Sequence, residues 1–179
     1  MNVMESIFEK AKANPQRVAF PEVEEEKILL AARECADNGI CMPVLVGKKS
    51  EILKYVEEYK ISLAGMQIAD SEDEEKLDAL IEKYTLENPV NSTKTMKRKS
   101  KDSLYVALML EAVGEVDATF AGMSHTTGDV ILAGQMVVGL QEGVTTVSSV
   151  GIANIPGYKG SEGELLVIGD SAVCANPSE

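Results

Sequence analysis

A chain of 179 residues can build one domain with a core of its own and part of another. Hydrophobic residues at 45% and charged residues at 26% describe a globular protein, and no apolar run of about 18 residues marks a membrane span. A net charge of −12 argues against nucleic acid as a partner, because a phosphate backbone demands a basic footprint.

Val3, Met4, Ile7, Phe8 and Ala11 recur at helical spacing, so a helix is expected over about 3–13, ending before Asn14-Pro15. Glu5, Glu9, Lys10 and Lys12 interrupt that stretch, which rules against a signal peptide. Arg17–Phe20, closed by Pro21, reads as a buried strand. Glu24–Asp37 carries Ile28, Leu29, Ala32 and Ala36 on one side and stops at Asn38-Gly39, a helix-ending pair. Met42–Gly47 is the next strand, Ser50 is expected to cap a helix to about Glu58, and Met66–Ala69 follows as a strand.

Ser71 and Glu74 have capping-box spacing before a helix over Glu72–Tyr84, and 86–100 reads as a polar loop or helix start. An apolar helix over Asp102–Val113 ends at Gly114 and leads to a short strand, Ala118–Ala121. A helix over Thr126–Val138, a β-branched strand over Thr145–Val150 and a last strand at Leu165–Ile168 complete the order. Short strands alternating with helices of about a dozen residues predict an α/β fold of three layers, its mostly parallel sheet covered on both faces.

In such sheets ligands bind beyond the C-terminal ends of the strands. Three such junctions carry chemistry. At Pro21–Glu25 the ordinary reading is that Glu24 and Glu25 complement the N-terminus of their own helix. At Gly122–Asp129, Ser124, His125, Thr126 and Thr127 stand where a strand gives way to a helix. Free N–H groups and hydroxyls there would hold a phosphate without cations, while the equally available alternative makes Thr126 an ordinary cap and His125 a packed side chain. At Gly169–Ser178, Asp170 and Asn176 reach a strand end among small residues, where turn chemistry is the competing reading.

Cys35, Cys41 and Cys174 are odd in number and lack metal-ligand spacing, so they read as reduced thiols of a cytoplasmic protein, Cys174 being an inert one. No metal, dinucleotide or P-loop signature occurs. Lys94, Lys97, Arg98, Lys99 and Lys101 form the one basic patch, either a solvated surface or a counter-charge for a polyphosphate such as coenzyme A.

The three junctions, in this order, resemble the phosphate acetyl/butyryltransferase family. Val18–Glu22 with Glu26–Ala32 is similar to its "VFPE…ERIL.AA" opening, and Gly39–Gly47 to its "GIA.PILLG". Asp102–Tyr105 with Gly114–Asp117 is similar to "DPLYFG…G.ADG.VSG", and His125–Asp129 to "HSTAD". Gly143–Val150 and Asp170–Ser178 resemble "PGVS.VSSV" and "DCAVNPNP". The resemblance implies acyl transfer between coenzyme A, a co-substrate, and phosphate, with no other cofactor and no metal.

It also implies two α/β domains like those of isocitrate and isopropylmalate dehydrogenases, with 1–140 as the first and 141–179 as the start of the second. Ser124, His125, Thr126, Thr127, Asp170 and Asn176 would line the phosphate or acyl-phosphate pocket. Two departures stand out. Leu132 occupies the place of an arginine in the family's "TVRPAL", and the family's catalytic base and serine–arginine pair belong to a C-terminal half that this sequence does not contain. The expectation is one half of a split or truncated acyltransferase that works with a complementary polypeptide or as a homo-oligomer. A non-catalytic binding subunit, or a relative using a protein-bound acyl group, is the alternative.

Overall fold

The structure is a computed structural model that describes residues 3–161, 163–170 and 173–174. The chain divides into two compact units, one over Met4–Val138 and one gathering residues from Gly139 onward. The first unit runs α1 (Val3–Ala13), β1 (Gln16–Phe20), α2 (Glu26–Asp37), β2 (Cys41–Gly47), α3 (Lys49–Glu58) and β3 (Gln67–Asp70). It continues with α4 (Glu74–Glu87), α5 (Thr93–Lys99), α6 (Ser103–Ala112), β4 (Ala118–Thr119) and α7 (Thr127–Val137).

Its four strands are parallel, in the order β3-β2-β1-β4. Strand residues alternate between two apolar layers. Phe20 and Leu45 pack with Leu29, Ala32 and Ile52 of α2 and α3. Ala19, Val44 and Val46 pack with Val106 and Ala107 of α6 on the opposite face. Both faces are therefore dry, which is why the strands read as continuous apolar runs. Leu29, Leu45 and Ile52 have no exposed surface, and burial of each such side chain contributes about 2 kcal/mol.

Local chemistry sets the helix ends. α2 stops where Ile40 N–H donates to the Cys35 carbonyl and Gly39 N–H to that of Ala36, with Gly39 at φ 63°, the left-handed turn that asparagine–glycine pairs favour. Two expected starts are corrected. α3 begins two residues earlier in sequence, after Lys48, and Ser50 lies inside it with its hydroxyl donating to Glu72. α4 starts after Asp73, which accepts from Lys76 N–H, so Ser71 and Glu74 form no capping box.

Beyond Val138 the expected strand at 145–150 is displaced. β5 (Val150–Asn154) and β6 (Leu165–Gly169) pair antiparallel, and residues 145–149 are irregular. The backbone N–H and hydroxyl of Ser149 donate to the Asp170 carboxylate at 2.9 and 2.6 Å, so a side chain rather than a strand ladder holds this approach to β5. Among the described residues, no helix is long and apolar enough to cross a membrane.

Arg17 ties the start of β1 to the approach to β4. Its guanidinium donates to both carboxylate oxygens of Asp117 at 2.9 and 3.1 Å, while its backbone N–H reaches the same carboxylate. At the far end of the unit, the buried Tyr84 hydroxyl donates to the Val137 carbonyl at 2.9 Å and accepts from Asn91. Asn91 also donates to the Met136 carbonyl, so two side chains satisfy the last turn of α7. Tyr84→Phe is expected to destabilise the unit by about 1–2 kcal/mol. A lowered urea midpoint at an unchanged slope is the expected result, and an unchanged midpoint would refute the capping role.

Candidate functional site

β2 and β3 step away from β1 on one side, and β4 lies on the other. The strand order therefore reverses between β1 and β4, the position at which open parallel sheets hold ligands. Glu22 follows β1 and the loop 120–126 follows β4, so both stand at this point.

Glu22 is fully buried, and its carboxylate gathers that loop. The backbone N–H groups of Gly122, Met123, Ser124 and His125 donate to it at 2.8–3.1 Å, and His125 Nδ1 lies 2.8 Å from Oε1. Gly122 has φ 116°, which L side chains rarely adopt. Burial alone would raise the Glu22 pKa. The backbone donors of His125, Met123 and Gly122 and the imidazole outweigh it and hold the carboxyl down at about 2.

The imidazole is held from both sides. His125 Nε2 lies 3.3 Å from Asp102, whose other task is to accept from Leu104 N–H at the start of α6. Burial pulls the His125 pKa down, but the hydrogen bond to Glu22 and the charge of Asp102 prevail and raise it above its ordinary value. His125 is thus a strut between β1 and α6. Thr126 caps α7: its hydroxyl accepts from Asp129 N–H at 3.2 Å and donates to the Asp129 carboxylate at 2.6 Å, completing a capping box.

These contacts settle which residues come together. Ser124, His125, Thr126 and Thr127 share one loop and helix start; Ser124 donates to Glu24, and the Thr127 side chain is exposed. The amides of 122–125 are directed at Glu22, so the free N–H groups expected over that stretch serve an internal anion. Glu24 and Glu25 directly precede α2, beside the helix start they were expected to complement. Glu24 meets Ser124, and Glu25 makes no side-chain cap.

Asp170 lies in the second unit, where it accepts from Ser149, Val173 N–H and Cys174 N–H. Asn176 lies outside the described residues. Glu22 and Asp102 were missed as partners of the loop, although an acid placed directly after a buried strand was a usable signal.

Beside His125 opens a cavity of about 640 Å³, lined by Lys99, Asp102, Leu104, Tyr105, Asp129, Leu132 and Met136 as well. Leu132 stands on its wall, where the resemblance had placed an arginine. Among the described residues, no cluster of three or more acidic, histidine or cysteine side chains could hold a metal ion.

Because His125 is the sole histidine, its ring can be titrated by NMR without ambiguity. A pKa above 6.5, brought down towards that value by Glu22→Gln, is expected. An unshifted ring in the wild type would refute the double clamp. Glu22→Gln is also expected to cost about 3 kcal/mol.

The signs with pH are opposite for the pair. The Glu22 contribution is present above the unfolded carboxyl value of 4.5 and is lost as pH falls towards about 2. That of His125 is complete below its unfolded value and is lost as pH rises through its raised one.

Residues 2–179 match the family model described as "Phosphate acetyl/butaryl transferase". The chain is 32% identical to phosphate acetyltransferase of Clostridium acetobutylicum and 31% identical to that of Thermoanaerobacterium thermosaccharolyticum. Each alignment covers 99% of this chain and 54% of the relative, so the chain spans about half the length of the curated relatives it matches. Its fold is similar to EutD phosphotransacetylase from Staphylococcus aureus, with TM-score 0.79 and 20% identity, over 100% of this chain and 53% of that one. It is also similar to a phosphotransacetylase from Streptococcus pyogenes, with TM-score 0.73 and 20% identity, over 87% and 49% of the two chains. The chain belongs to the phosphate acetyl/butaryl transferase family.

Proposed function

We propose that this chain serves acyl transfer between coenzyme A and inorganic phosphate, supplying the half of the active site that includes the His125–Asp129 loop. The observation that carries the reading is the cavity beside His125, at the strand-order reversal, walled by that loop and by the start of α6. Phosphate attack on a thioester needs the nucleophile oriented against the carbonyl and donors aimed at the developing oxyanion. The double clamp on His125 gives the loop the rigidity this requires. Thr127 supplies a hydroxyl outside the capping box, and Thr126 and Ser124 shape the same helix start. Asp170 and Asn176 enter the proposal through the resemblance alone.

The relatives' remaining half supplies the acid–base group that protonates the departing thiolate, and deprotonates the thiol in the reverse direction, with the groups that polarise the thioester, from the same polypeptide or from a second one. The apolar side chains of the β5–β6 hairpin support such a partner. Val150, Ile152 and Val167 are each more than 60% exposed, and an isolated two-stranded hairpin with such a surface needs cover.

A second reading, a binding subunit without catalysis, is favoured by one observation: Leu132 gives the cavity an apolar wall in place of a cation, and leucine cannot bind a phosphate as arginine does.

Thiol release from acetyl- and butyryl-coenzyme A, measured with and without phosphate and with a relative's complementary half supplied in trans, separates the two. Phosphate-dependent release is the expected result. Phosphate binding with no release under any of these conditions would establish the binding subunit.

Within the catalytic reading, Thr127→Val is expected to raise the KM for phosphate several-fold at unchanged thermal stability. Thr126→Val is expected to cost about 1 kcal/mol through the lost cap. A Thr127→Val protein with wild-type phosphate dependence would remove that hydroxyl from the site.

A further inference from the structure

The cavity beside His125 is lined by two carboxylates, an imidazole and a lysine, and the first three are already engaged. Asp102 faces the imidazole of His125 and caps α6, and Asp129 is locked into the capping box of α7. The fourth is Lys99, at the end of α5. Its ammonium donates to the Tyr105 hydroxyl at 2.9 Å and sits 4.4 Å from the centre of the Tyr105 ring. Both contacts are to a neutral group, and Lys99 makes no ion pair with a carboxylate among the described residues. It is also half-buried, unlike Lys94, Lys97, Arg98 and Lys101, which are exposed. Lys97, two residues away, is paired with Asp78 at 2.8 Å. A partly desolvated ammonium held over a phenol ring is short of a counter-ion, and it faces a cavity large enough to provide one.

We propose that Lys99, oriented by Tyr105, is a phosphoryl-binding residue of this cavity and supplies the cation that Leu132 does not. The ligand chemistry is a phosphoryl group: the oxyanion meets Lys99, and where the ligand carries a carbon chain, Leu132 and Met136 receive it. This rests on the acyl-transfer reading of the same site, since inorganic phosphate, an acyl phosphate and the phosphates of coenzyme A all present the required group. Tyr105 fixes the ammonium at the cavity wall, so a ligand meets a positioned charge with part of its ordering already done.

Equilibrium titration of the purified chain with inorganic phosphate and, separately, with coenzyme A tests the proposal at fixed ionic strength. The proteins are wild type, Lys99→Met, Lys99→Arg and the paired-lysine control Lys97→Met. Lys99→Met is expected to weaken one of the two ligands at least tenfold, and the ligand affected identifies the source of the phosphoryl group. Lys97→Met is expected to stay within about twofold of wild type, and Lys99→Arg to retain most of the affinity through its preserved charge. Thermal unfolding of each variant separates lost binding from lost folding.

If wild type binds a ligand and Lys99→Met binds it equally well, the Lys99 proposal fails while the acyl-transfer reading stands. If Lys97→Met loses as much as Lys99→Met, the effect is general electrostatics and the proposal also fails. If wild type binds neither ligand, the acyl-transfer reading falls and takes the proposal with it.

Discussion

The buried carboxylate of Glu22 is the constraint on which the arrangement of the site depends. One side chain at the end of β1 receives four consecutive backbone amides and an imidazole from a loop about a hundred residues further along the chain. Burying a carboxylate costs several kcal/mol, and that cost is met only when charge-assisted hydrogen bonds replace its water. Here four amides and an imidazole supply those bonds and hold the carboxyl pKa down. The contact joins the C-terminal ends of the two strands between which the sheet reverses its order, and it orders the loop that leads into α7. Asp102 extends the same network to the start of α6, so three elements are registered against one another through a single histidine ring.

The sheet was legible because its physics is local. Strands dry on both faces must be apolar throughout, so Arg17–Phe20 and Met42–Gly47 announced themselves, as did α2 with its Asn38-Gly39 ending. Helix starts at α3 and α4 were less legible. Ser50 and Ser71 are chemically competent caps, but Lys48 and Asp73 precede the first helical turns, and Glu72 draws the Ser50 hydroxyl across from the β3–α4 connection. The stretch 145–149 has strand composition, yet β-branched residues favour a ladder only where a partner strand is present, and there the partner is the Asp170 carboxylate.

The site shows the same division. Ser124, His125, Thr126 and Thr127 are neighbours in sequence and could be found together. The capping role of Thr126 was one of the two readings its position allowed. Glu22 and Asp102 act across long separations, and no local spacing places an acid beside a distant loop. A helix start rich in hydroxyls and glycine looks the same in sequence whether its amides await a ligand or already hold an internal carboxylate. The difference lies in a residue a hundred positions earlier.

That occupancy changes how an external anion must be held. With the amides of 122–125 committed to Glu22, a phosphate gains little from the loop's backbone and has to find donors on the cavity side. A chain with a net charge of −12 surrounds any bound anion with unfavourable long-range potential. A close cation is therefore worth more here than in a neutral protein, and the His125 ring is already held between two carboxylates. The half-buried ammonium over Tyr105 is the positive charge left uncompensated on that wall. On the same cavity, Leu132 and Met136 offer surface that repays an alkyl group at roughly 25 cal/mol per Å² buried and repays a bare phosphate nothing. The charge pattern and the apolar wall thus favour the same class of ligand, an oxyanion joined to a short carbon chain.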